Sequence, residues 1–205
     1  MLPRARRALL LSGRSTGPPA LTLDSAFGGV FPVANTPDFT GLADTAKYVM
    51  GTHFRPLVGR TVVGIDWFVP TNVLPANADF GCGLLQVDPV TGITGVTSWL
   101  NWTAQSLPLA AEQGTWKRLL FSSPVNVPAG TELYACVRTD RYAFSAHVFD
   151  ADRTSLDSTV VLQANNGPYP NGAFVQGSDT IPTPPVFSAG SFNATFYGID
   201  PVWEA

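Results

Sequence analysis

Apolar and polar positions alternate in short runs along most of this chain, and proline, glycine and asparagine close the runs. Val63, Ile65, Trp67 and Val69 alternate with Gly64, Asp66 and Phe68, the period of two that turns one face of a strand to a core. Pro70 and residues 72–75 stop that strand. Leu84-Leu85-Gln86-Val87 predicts another, closed by the turn Asp88-Pro89-Val90-Thr91-Gly92. Residues 96–103 predict a strand that carries Trp99 and Trp102. Residues 105–114 read as a loop, 115–121 as a strand, and 122–130 as a short edge segment and a turn. Residues 131–139 and 142–149 flank the tight link Asp140-Arg141 and so predict a hairpin. A last strand is predicted over 194–203. Strands at a spacing of roughly eight to twelve residues, with turns between them and no sustained helical period, predict an all-β fold. The expected architecture is an antiparallel two-sheet sandwich, jelly-roll or Ig-like, over residues 45–205.

Two stretches break this pattern. Residues 1–44 predict an extended N-terminal docking arm. Arg4, Arg6, Arg7 and Arg14 make its start basic. Leu21, Leu23, Phe27 and Phe31 are isolated apolar residues, interrupted by Gly28-Gly29, Pro32 and Pro37. Such a segment holds one conformation only where a surface holds it. Ordering it costs about 1–2 kcal/mol of backbone entropy per residue, so the contacts must be extensive. The expected surface is a neighbouring copy or a different subunit, with these eight residues making the contact; the alternative is the arm's own domain. The second stretch, residues 164–191, contains Asn165-Asn166-Gly167-Pro168 and Ile181-Pro182-Thr183-Pro184-Pro185. A connection that long is expected to be functional or docked.

Composition narrows the classes. Hydrophobic residues make up 45% of the 205 and charged residues 13%, about half the usual charged share, which suits a surface packed against neighbours. A net charge of −3 offers no basic field for DNA or RNA, so nucleic acid is not an expected partner. No stretch is long enough to span a membrane. The apolar run from Ala8 to Leu11 is shorter than the core of a secretory signal, so no leader is expected.

No catalytic constellation emerges, and no catalytic residue, cofactor or metal is expected. His53 and His147 each lie in apolar runs and read as hydrogen-bonded structural residues. Neither the nucleophile elbow, the phosphate loop nor the zinc-protease helix motif is present. Cys82 and Cys136 read as buried free thiols, with a bridge between sheets as the alternative. Asp150, Asp152 and Asp157 are the densest acidic group, but Arg153 stands among them and the spacing is not that of a calcium loop. Trp99, Trp102, Tyr142 and Tyr169 are candidate glycan contacts, with Asn101 and Gln105 as hydrogen-bond partners. Against this, Trp99 and Trp102 are three residues apart, which in a regular strand puts them on opposite faces. Asn101 and Asn193 begin glycosylation sequons, which matter only in a eukaryotic secretory setting.

Three segments carry a resemblance: Gly64-Ile65-Asp66-Trp67-Phe68-Val69, then residues 114–134 around Trp116-Lys117-Arg118-Leu119-Leu120-Phe121, then residues 192–203 ending in Asp200-Pro201-Val202-Trp203. In order and spacing they resemble a bacterial β-sandwich domain of unassigned function. It occurs as repeats in large secreted actinobacterial proteins and as a module in minor tail proteins of actinobacterial phages. The resemblance spans residues 45–205 and brings no catalytic residues with it. It implies a non-enzymatic structural protein of a bacteriophage virion, placed in the tail or tail tip, whose partners are other virion proteins, copies of itself and a host-surface glycan. A capsid decoration protein and a carbohydrate-binding module of a cell-surface protein are the alternatives.

Overall fold

The computed structural model describes residues 23–25, 40–90, 98–146, 148–155, 157–164, 169–176, 187 and 195–204. Their strands, in chain order, are β1 (Leu23–Ser25), β2 (Thr40–Pro56), β3 (Arg60–Phe68), β4 (Gly81–Gln86), β5 (Ser98–Ala104), β6 (Trp116–Val127), β7 (Leu133–Phe144), β8 (Arg153–Thr154), β9 (Val160–Leu162), β10 (Ala173–Gln176) and β11 (Ile199–Glu204). One 3-10 turn, Ala110–Glu112, sits between β5 and β6.

The strands form two antiparallel sheets packed face to face. The smaller has the order β1-β11-β3-β6. The larger has the order β5-β4-β7-β2-β9-β8, with β10 also pairing with β2. Setting β8, β9 and β10 aside, the first and last strands are neighbours in the small sheet, and β2 and β7 are neighbours in the large one. That is the order of two interlocked Greek keys, the jelly roll, and not the Ig arrangement. The core between the sheets is built from the inward positions of each strand. Trp67 and Trp203 are its largest members, joined by Ile65, Phe80, Leu84 and Leu133. Burying each such side chain stabilises the fold by roughly 1.5–3 kcal/mol before the entropy of ordering is set against it.

Three sequence expectations change. Residues 131–149 do not form a hairpin at Asp140-Arg141. β7 runs straight through that pair because β2 lies beside it along its whole length, Thr40 opposite Phe144 and Phe54 opposite Leu133. The irregularity falls on β2 instead, where the register shifts between Ala43 and Tyr48. Residues 116–127 form one strand, not a strand followed by an edge segment. Third, parts of the expected arm are strands of the sandwich. β2 starts at Thr40, and Leu23, Asp24 and Ser25 pair with Glu204, Trp203 and Val202 of β11.

The larger sheet also carries a second apolar layer on its outer face. Val49, Leu85, Tyr134 and Cys136 point outward there and are covered by Tyr169, Ala173 and Phe187. The stretch after Ala164 therefore contributes β10 and this cover.

Candidate functional site

The outer face of the larger sheet gathers most of the residues with chemistry, and a bulge in the β4–β5 pairing explains how. Gly83 faces Trp102 and Leu84 faces Asn101, but the register then slips, so that Leu85 faces Trp99. One extra residue on β5 restores the same facing after three positions. Trp99 and Trp102 therefore share the outer face, their rings 4.9 Å apart and inclined at 53°. The opposite-face expectation assumed a regular strand, and the bulge removes it.

Glycines make room for the rings. A Cβ at Gly83 would lie 2.7 Å from Cε3 of Trp102 and 2.8 Å from Cζ3 of Trp99, and one at Gly81 would lie 2.8 Å from Cζ2 of Trp102. The Trp102 ring thus runs along β4 from Gly83 to Gly81, lying on bare backbone. Glycine inside a strand weakens it and marks a close approach; here the approaching group is an indole. Trp99 also packs against the outer apolar layer. Trp102 is half-buried and, among the described residues, belongs to neither core cluster.

Beyond Gly81 the same face turns polar. Gly81 pairs with Arg138 on β7, and the Arg138 guanidinium lies 2.6 Å from Asp79. Lys47 Nζ lies 3.5 Å from the same carboxylate oxygen, with the Lys47 and Asp79 side chains 42% and 35% exposed. Asn77 donates to the other oxygen of Asp79 at 3.1 Å and accepts from the Asp140 amide. Partial burial works against the charge on Asp79, but the Asn77 amide and the Arg138 guanidinium outweigh it and hold the carboxyl below its ordinary range.

Asn101 and Gln105 do not join this corner. They seal the flank where β5 and β6, edge strands of different sheets, come together. Asn101 donates to the Ser123 carbonyl at 3.0 Å, Gln105 donates to the Leu120 carbonyl at 2.7 Å, and the Ser122 amide donates to the Thr103 hydroxyl at 2.9 Å. Three main-chain groups on the open edge of β6 are thereby satisfied by side chains.

The other two aromatic candidates are also placed elsewhere. Tyr142 sits edge-on to Tyr48 and Tyr197. Tyr169 is nearly buried, stacks on His53 at 5.1 Å and 8°, and donates to the Pro89 carbonyl at 2.8 Å. His53 is fully buried and its Nε2 lies 2.8 Å from the Glu132 carboxylate. Burial lowers the His53 pKa and the Glu132 contact only partly restores it, a balance that favours the neutral ring. Asn171 fills the gap on the edge of β2 between β10 and β9. Its side chain accepts from the His53 amide at 2.9 Å and donates to the His53 and Gln163 carbonyls at 2.9 and 3.0 Å.

The thiols cannot bridge. Cys82 points into the main core and Cys136 into the outer layer, from neighbouring strands of one sheet. Burial pushes Cys82 up to about 12 and raises Cys136 well above its ordinary value. Asp152 accepts from the Ala164 amide, and Asp157 holds Arg60, Ser155 and Thr159, so the acidic group ties loops together. Among the described residues no three His, Cys, Asp or Glu side chains gather as metal ligands would, and no helix is long and apolar enough to cross a membrane.

Of the expected docking residues, Leu23 is described in its backbone, opposite Glu204. Arg4, Arg6, Arg7, Arg14, Leu21, Phe27 and Phe31 lie outside the described residues, as do His147 and Asn193. Sequence reasoning missed Asp79 and Lys47. The alternating glycines of Phe80-Gly81-Cys82-Gly83 signalled the close approach of the Trp102 ring, but nothing in the sequence pointed to Asp79 or Lys47. No protein-family model matches the chain, and no curated protein matches it.

Proposed function

We propose that the chain is a non-enzymatic structural component of a bacteriophage virion, a minor tail or tail-tip protein that docks through its N-terminal segment and displays the sandwich outward. One observation carries the reading. The three segments that resemble the phage-tail and actinobacterial domain are far apart in sequence, yet they supply β3, β6 and β11, three adjacent strands of one sheet. A likeness that falls together in space supports a shared domain better than three separate matches would. A jelly roll on its own does not choose a function. Several titratable and nucleophilic side chains hold the fold: His53 on Glu132, Asp66 in an ion pair with Arg118, and the two thiols in apolar layers. In a tail, several copies would be arranged symmetrically.

Immunogold electron microscopy of the particles that carry this protein, with antibody raised against the purified chain, tests the reading. Label at the tail or its tip is the expected result. Label spread over the shell would make it a capsid decoration protein. Particles free of label, with the antigen found on the cell surface, would overturn the virion assignment and favour the cell-surface module.

A further inference from the structure

We propose that the outer-face corner formed by Trp102, Asp79 and Lys47 binds carbohydrate, one pyranose lying against the indole with its hydroxyls turned to the carboxylate and the ammonium. Among the described residues Trp102 is a large aromatic outside both core clusters, yet it is held flat on the backbone of Gly81 and Gly83, where any side chain would displace it. A ring fixed in this way offers a rigid apolar face at little entropic cost, which is what the C–H face of a sugar needs. The axis of the ring points along β4 towards the polar corner. Asp79 is a pure acceptor and Lys47 a pure donor, and both are about two-fifths exposed. A sugar hydroxyl both donates and accepts, so adjacent hydroxyls of one ring can satisfy both groups. Asn77 and Arg138 are themselves buried and act by holding the Asp79 carboxylate in place. The carboxylate argues against phosphate-bearing ligands, as does the net charge of −3.

This site differs from the platform the sequence suggested, because Tyr142, Tyr169, Asn101 and Gln105 are engaged elsewhere. The proposal holds whether the chain is carried on a virion or on a cell surface, so its failure and that of the virion reading are separate results.

The test uses the full chain labelled with 15N at its 5 tryptophan indoles. Chitotetraose, cellotetraose and a solubilised bacterial cell-wall polysaccharide are titrated in turn, to about 10 mM for the two oligosaccharides, well above the roughly millimolar Kd typical of weak binding. The expected result is a saturable shift of the Trp102 signal with at least one of the three. Trp102→Ala should abolish binding. Lys47→Ala, at a half-exposed position whose ion pair with Asp79 is a partly solvated surface contact, should leave the fold intact and weaken binding about tenfold, the equivalent of one good hydrogen bond. No shift with any of the three overturns the proposal. So does binding that survives Trp102→Ala, or binding that Lys47→Ala leaves unchanged.

Discussion

Replacing Asn171 by alanine tests the account of how the outer layer is fastened. Asn171 is fully buried, and its carboxamide makes four hydrogen bonds: it accepts from the His53 and Gly172 amides at 2.9 and 3.0 Å and donates to the His53 and Gln163 carbonyls at 2.9 and 3.0 Å. It stands in for a strand neighbour along the stretch of β2 between Gly51 and Arg55, which neither β10 nor β9 pairs. Asn171→Ala leaves the N–H and C=O of His53 without partners under a buried ring. Each such group costs about 1–3 kcal/mol. Allowing for some recovery by water, the expected loss is about 3–4 kcal/mol. For a chain of this length that is a fall in Tm of roughly 10 °C. Chemical denaturation followed by circular dichroism gives the free energy. Chymotrypsin, cutting after Phe174 on β10, reports whether the layer opens first. Asn171→Asp should be no better than alanine, since it would set a carboxylate against two carbonyl oxygens. A loss below about 1 kcal/mol for the alanine variant would refute the strand-substitute role.

Four further outcomes follow from the same structure. The His53 pKa is lowered from 6.5 by burial, so the unfolded chain takes up the proton first; stability is complete above that value and falls as pH drops below it. Melting curves between neutral and mildly acidic pH should show this slope, and His53→Gln should flatten it. Gly83→Val should destabilise by about 1–3 kcal/mol through overpacking and change the tryptophan emission, because Trp99 and Trp102 must move. Cys82 and Cys136 should be silent to a thiol reagent in the native protein and both react once it is denatured, with no disulfide on mass analysis. Deleting residues 1–22, which removes none of the described strands, should leave a folded sandwich, and on the proposed virion role that sandwich should no longer enter particles. Extending the deletion to residue 39 should also lower stability, because it removes β1 from the edge of β11.

The strands that alternate cleanly were legible from their pattern alone. Ile65 and Trp67 announce β3 because they alternate with polar or small residues and point into the core, where a register shift places Val62 beside them and not Val63. What the pattern hid was set by neighbours in space. Asp140-Arg141 has turn composition, yet β2 runs beside it and keeps β7 extended, a case of pairing overriding local preference. The shared face of Trp99 and Trp102 depends on a bulge, and one inserted residue reverses every facing beyond it. Asn101 and Gln105 looked available for a ligand because nothing in the sequence says that β6 ends up beside them. The Trp102 corner was half legible. Its aromatic member stood out, while Asp79 and Lys47, 32 residues apart in the chain, meet only in the fold.

The sealed flank between β5 and β6 bears on colloidal behaviour. A free strand edge is a template on which another chain can add, and many proteins guard it with lysine or other charges. β5 contains neither charge nor proline, and with 13% charged residues overall the chain has little repulsion to hold copies apart. Asn101, Thr103 and Gln105 guard the β6 edge by occupying its hydrogen-bonding groups from within. Copies held side by side at high local density can then touch along this flank without their sheets fusing into a fibre. Substituting those three amide and hydroxyl side chains with leucine and valine would expose the edge and turn crowding into polymerisation.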